Sequence, residues 1–140
     1  MNKERERELL REGLERIGMR GGGPGGRLGA RLSTRWLRCD EAEKEWSIRG
    51  ELTGARTRIE TLLGAVGELV ETADREVTAV VRSGAWSMNP AVVTVQFEPS
   101  TPTTIRLRIR AVAAEGLVKQ HGGRKAVDRV IELLSVPSST

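Results

Sequence analysis

The chain has 140 residues and a formal net charge of +4, with 38% hydrophobic and 30% charged residues, a length that suits one domain with its own core. No apolar run approaches the roughly 20 residues of a membrane span, and the opening MNKERERELLREGLER lacks the apolar stretch of a secretory signal and is too acidic for a transit peptide. The one cysteine, Cys39, excludes an internal disulfide and suits a reducing compartment, so a cytoplasmic location is expected.

Charge is unevenly spread. Residues 1–38 hold ten Lys/Arg and five Glu, whereas residues 39–140 hold thirteen Lys/Arg and fourteen acids. The excess lies in Arg20, Arg27, Arg31, Arg35 and Arg38, a stretch without an acid. A basic arm on a near-neutral body is an interaction pattern. Arginine outnumbers lysine nineteen to four, a bias that base composition also produces.

In chain order, residues 2–18 are rich in helix formers. Leu10, Leu14 and Ile17, widened by Leu9, make a narrow apolar stripe. So few apolar residues do not hold an isolated helix in water; this one docks or frays. RGGGPGGRLGAR, residues 20–31, supplies too little burial to offset its ordering entropy, so residues 20–30 are expected to form a flexible linker. Residues 31–38 suit a strand or a short helix equally. Asp40–Glu45 reads as a charged turn or one helical turn, and WSIRGEL, residues 46–52, as a strand. Thr53 is placed to cap a helix in which Ile59, Leu62, Leu63 and Val66 follow the i, i+3, i+4, i+7 spacing of a buried face. Gly64 and Gly67 end it.

Three further strands are predicted over residues 76–82, 91–98 and 103–111. In the last, TTIRLRIRA, Ile105, Leu107, Ile109 and Ala111 face one side and Arg106, Arg108 and Arg110 the other. PSTP, residues 99–102, reads as a four-residue hairpin connection. It pairs Phe97 with Ile105, Val95 with Leu107 and Val93 with Ile109. A closing helix over residues 125–134 buries Val127, Val130, Ile131 and Leu134. Trp36 and Trp46 are expected as core anchors, and Trp86 at a loop or pocket edge.

The expected fold is therefore α+β, a two-layer antiparallel sheet in the order strand, helix, three strands, helix. The helices pack on one face and the other face meets water; a flexible basic N-terminal arm precedes the body. Residues 1–30 form the amphipathic helix and Gly/Pro/Arg-rich linker, 31–135 the single α+β domain and 136–140 a frayed tail. The element order is similar to that of helix-grip and TATA-binding-like folds, with fewer strands than a helix-grip fold usually has. Similarity of order alone implies no function.

The chemistry is bounded by scarcity. One histidine, His121, and one cysteine build no Cys/His zinc site, and no HExxH, CxxC or GxSxG pattern occurs. No catalytic residue, metal or cofactor is expected. RGGGPGGR, residues 20–27, is similar to RGG segments that bind single strands. However, positions 94, 96, 106 and 108 carry no aromatic on which a base would stack.

The sequence thus reads as a non-catalytic binding or adaptor domain. It engages an acidic partner, a protein surface or a nucleic-acid backbone, through Arg20, Arg27 and Arg31 of the arm and Arg106, Arg108 and Arg110 of the sheet. Gly122, Gly123, Arg124 and Lys125 form a second candidate, an anion-binding loop at a helix start. The alternative is a small apolar-ligand domain with a pocket between sheet and final helix, lined by Val93, Val95, Leu107 and Val130. An exposed edge strand would point to self-association.

Overall fold

The computed structural model describes residues 2–16, 38–82, 84–115 and 119–136. The linker at 20–30, Arg20, Arg27, Arg31 and Trp36, and the tail from 137 lie outside the described residues. Helix α1 covers residues 3–16. It is followed by β1 (Arg38–Arg49), α2 (Leu52–Val66), β2 (Gly67–Ala73), β3 (Glu76–Val81), a 3-10 turn (Ala85–Ser87), β4 (Ala91–Thr101), β5 (Thr104–Glu115) and α3 (Gly122–Ser135). The strands form one antiparallel sheet in the order β1-β5-β4-β3-β2, an α+β architecture with an open sheet.

The main core lies between the sheet and helices α2 and α3. Val77, Ala79 and Val81 of β3, Val93, Val95 and Phe97 of β4, and Ile105, Leu107 and Ile109 of β5 meet Ile59 and Leu63 of α2 and Val127, Val130 and Leu134 of α3. Each set recurs at the period of its element, two in strands and 3.6 in helices, so local sequence suffices to place it. Arg58 of α2 ties the two helices by donating from Nη2 to the carbonyls of Leu134 at 3.0 Å and Val136 at 2.7 Å, which satisfies acceptors that a helix end leaves free.

The sheet has five strands where the sequence indicated four. The additional one, β2, reads GELVETA, and a bulge between Leu69 and Glu71 breaks its pairing with β3. A bulge puts two residues opposite one and erases the two-residue period by which a strand is recognised. Gly67 makes the turn from α2 into β2 feasible, because a Cβ there would lie 2.3 Å from the Val80 carbonyl oxygen. Strand β1 is also longer than expected. Asp40–Glu45 belongs to it and is no turn. These charges suit a free sheet edge, where they discourage pairing with another chain. Trp46 sits on that edge, 36% exposed, and is not a core anchor. At α2 the residue in the N-cap position is Glu51, with no side-chain cap; Thr53 lies inside the helix.

In the β4–β5 hairpin the two faces are as expected but the register differs by two residues. Phe97 pairs with Leu107, Val95 with Ile109 and Val93 with Ala111. Strand β4 continues through Pro99 to Thr101, with a bulge between those two, and Pro102 and Thr103 make the turn. The Phe97 amide donates to the Arg75 carbonyl on the β3 side. Pro99, two residues on, therefore directs its missing N–H beyond the end of β3, where no ladder bond is lost.

The largest departure concerns the second face. Water was expected there, yet α1 packs on it. Asn2 caps this helix, its Oδ1 accepting the Arg5 amide at 2.8 Å, a preferred N-cap arrangement. Leu9 and Leu10 are buried with Val92 and Val112, flanked by Val70 and Val80. The helices thus lie on both faces, because this patch of four valines is too apolar to leave wet.

Candidate interaction surface

On the second face the strands lay polar residues in rows. Pairing of β1 with β5 sets Glu43 beside Arg110, Glu45 beside Arg108 and Ser47 beside Arg106. Pairing of β5 with β4 sets Thr94, Gln96 and Glu98 on their other side. Each arginine of the alternating strand is thereby given its own surroundings.

Arg110 is the most enclosed. Its Nε donates to Glu6 Oε1 at 2.9 Å and its Nη2 to Glu6 Oε2 at 3.1 Å, a two-pronged contact with α1. The same Nη2 donates to Glu41 Oε2 at 3.0 Å. Glu6 is only 3% exposed, so its charge depends on this fork for compensation. Hydrogen bonding to Glu6 raises the Arg110 pKa further above its ordinary value. The hydrogen bond from Arg110 lowers that of Glu41. Beside the fork, the Thr78 and Thr94 hydroxyls lie 3.2 Å apart and satisfy each other beneath the helix.

Arg108 is surrounded more loosely, with Glu98 at 3.5 Å, Glu45 at 3.8 Å and Glu43 at 3.9 Å; its buried Nε makes no hydrogen bond. Arg106 is exposed. Among the described residues no carboxylate lies within ion-pair distance of it. Gln96 Nε2 donates to Glu76 Oε2 at 2.9 Å. The part of the face beyond α1 is therefore polar and of mixed sign. Two of the three sheet arginines already face carboxylates, which the alternation in β5 does not disclose.

The loop candidate is occupied from within. Glu115, at the end of β5 and 6% exposed, accepts the Gly122 amide on Oε1 at 3.0 Å and the Gln120 amide on Oε2 at 2.8 Å. Asp40 of β1 accepts the Arg124 amide at 3.1 Å. Two internal carboxylates thus sit at the positive end of α3, where the dipole favours negative charge, and they offset the basic Arg124 and Lys125. Burial opposes ionisation of Glu115, yet the Gly122 and Gln120 amides bring its pKa below the usual carboxylate value. Gly123 allows the helix to start against the sheet, since a Cβ there would be 2.4 Å from the Asp40 carbonyl oxygen. His121, ahead of them, takes the left-handed conformation at φ 52° and ψ 44°.

Trp86 also has a left-handed backbone, at φ 54° and ψ 26°, and borders an open groove of about 420 Å³ with Lys125, Asp128, Arg129 and Glu132 of α3. Its carboxylates are engaged. Asp128 pairs with Lys44 at 2.6 Å and Glu132 with Arg129 at 2.6 Å. Among the described residues no group of three His, Cys, Asp or Glu is placed to hold a metal, and no helix is long and apolar enough to cross a membrane.

No protein-family model, curated protein or solved structure matches the chain. Geometry alone carries its functional reading. The residues that sequence reasoning missed are Glu6, Glu41 and Glu115. Only Glu115 has a local signal, a helix that opens with two glycines and two basic residues and has no acid in its first turn, which calls for negative charge from elsewhere in the chain.

Proposed function

We propose that the chain is a non-catalytic adaptor domain that binds an acidic protein surface. The observation that carries this reading is the filled core. Val93, Val95, Leu107 and Val130 have no accessible surface, so no chamber able to admit even a water-sized probe opens on them, and an apolar ligand has no place between sheet and α3. What remains is surface recognition. Arg106 is open on the sheet, and Arg20, Arg27, Arg31 and Arg35 stand in a sequence without an acid. Glu41, Glu43 and Glu45 beside the sheet arginines leave that face of mixed sign, which matches a protein surface where acids alternate with other residues better than an unbroken run of phosphates.

The test is a pair of titrations, with a polyglutamate peptide and with a short DNA duplex, each at several salt concentrations. Polyglutamate is expected to bind at low salt and to lose at least tenfold when Arg20, Arg27 and Arg31 are changed together to Gln. DNA binding with a log–log salt slope of about −0.9 per phosphate contact would replace the protein reading with a nucleic-acid one. Binding of neither at low salt, where surface charge acts most strongly, would refute both.

A further inference from the structure

Helix α1 lies on the sheet as a peptide lies in a receptor groove. Its contact residues Glu6, Leu9, Leu10 and Gly13 follow the i, i+3, i+4, i+7 spacing by which a helix presents one narrow face to a groove. Leu9 and Leu10 enter the valine patch of Val70, Val80, Val92 and Val112. Glu6 engages Arg110 through both oxygens. At Gly13 a Cβ would lie 3.4 Å from Val80 Cγ1 and 3.9 Å from Pro90 Cβ, ordinary contact distances, so this turn of the helix runs against the sheet and a small residue fits there. Acid, two leucines and a small residue are what α1 presents to the sheet.

Further contacts of α1 lie at its rim. Arg5 meets Glu71, Lys3 meets Glu41 and Arg16 meets Glu68 in exposed ion pairs, which contribute little and weaken with salt. Residues 17–37 lie between α1 and β1, with seven glycines and no acid; at full extension that length of chain reaches about 70 Å. The helix can therefore leave the groove with no break in the chain and no change in the main core on the opposite face.

We propose that the groove of Val70, Val80, Val92, Val112 and Arg110 is the docking site for an amphipathic helix of a partner protein bearing Glu-x-x-Leu-Leu-x-x-small, and that α1 is the resident helix it displaces. Charge complementarity fixes one acid of the incoming helix, opposite Arg110, and suits basic residues at its rim, opposite Glu41, Glu68 and Glu71. Arg110 lies in the groove beside two carboxylates, one of which, Glu6, leaves with α1, so an incoming helix must restore an acid at that position. This deepens the reading of the chain as an adaptor domain.

The test uses the full chain with Leu9→Asp and Leu10→Asp, which releases α1, and a fluorescein-labelled peptide of the native sequence 2–16, followed by anisotropy. The peptide is expected to bind this variant at least tenfold more tightly than the native chain. Binding should fall at least tenfold when Arg110→Met is added, or when the peptide carries Glu6→Arg. Equal binding to both chains, binding to neither, or indifference to Arg110 would overturn the proposal. Should the double variant lose cooperative unfolding, the native chain serves, with an environment-sensitive dye on its exposed sole cysteine, Cys39, whose charge environment includes Arg7 of α1. Excess unlabelled peptide should then shift the dye emission, and no shift overturns the proposal. A native chain that sediments as a dimer unaffected by the peptide would overturn it in favour of a second copy as occupant. Polyglutamate binding through Arg20, Arg27 and Arg31 is measured independently, so either reading can fail alone.

Discussion

Replacing Gly123 with Ala separates packing from ligand binding at the start of α3. The added Cβ would lie 2.4 Å from the Asp40 carbonyl oxygen, 2.9 Å from its carbon and 3.0 Å from the Ala111 carbonyl oxygen. These are backbone atoms of two paired strands and have nowhere to go, so the helix must lift. Lifting strains the amide contacts from Gly122 and Gln120 to Glu115 and from Arg124 to Asp40. Overpacking costs about 1–3 kcal/mol and each weakened hydrogen bond about 1 kcal/mol. The helical preference of Ala over Gly returns about 0.5–1 kcal/mol. A net loss of about 3–5 kcal/mol follows. Gly64 of α2, exposed and with nothing within 4 Å of its built Cβ, is the control; Gly64→Ala should gain about 0.5–1 kcal/mol. Urea unfolding followed by circular dichroism reads both. With a slope of about 1–3 kcal/mol per molar urea, the Gly123→Ala midpoint should fall by about 1 M or more while that of Gly64→Ala rises. A Gly123→Ala chain as stable as the native one would refute the close approach and return the two glycines to the role of an open anion loop.

Leu107→Ala, which removes a side chain with no exposed surface, should cost about 2–5 kcal/mol, whereas Arg106→Ala should change stability by no more than about 0.5 kcal/mol; urea midpoints distinguish them, and similar costs would mean that the two faces of β5 are wrongly assigned. Arg110→Met should release α1, since Glu6 would otherwise stay buried without a counter-charge; hydrogen exchange should show residues 3–16 losing protection while β4 and β5 keep theirs. The Glu115 pKa in the folded chain lies below its ordinary value of 4.5, so its contribution is complete above the unfolded-state pKa and is lost as the pH falls through the folded one. Glu115→Gln should therefore lower the urea midpoint at neutral pH and flatten its decline on acidification below about pH 5; an unchanged acid limb would remove Glu115 from the account.

The parts of this fold that follow from sequence alone are those set by short periods. Alternation in β5 assigns Ile105, Leu107 and Ile109 to the core and the three arginines to the opposite face, because neighbouring side chains on a strand point opposite ways whatever the strand pairs with. The 3.6-residue recurrence in α2 and α3 does the same for their apolar faces. Partner and register are different in kind. The two-residue offset of the β4–β5 hairpin keeps every face and changes every pair, and it depends on how the chain passes Pro99. Strand β2 was hidden because its bulge interrupts the very period that marks a strand. The state of the arginines was furthest from local reach. Arg110 is neutralised by Glu6, 104 positions away, and the positive end of α3 is occupied by Glu115 and by Asp40 from another strand. A local pattern says which way a charge points; only the packed chain decides what it meets there, since Coulomb and hydrogen-bond energies depend on distances that strand order and helix docking create.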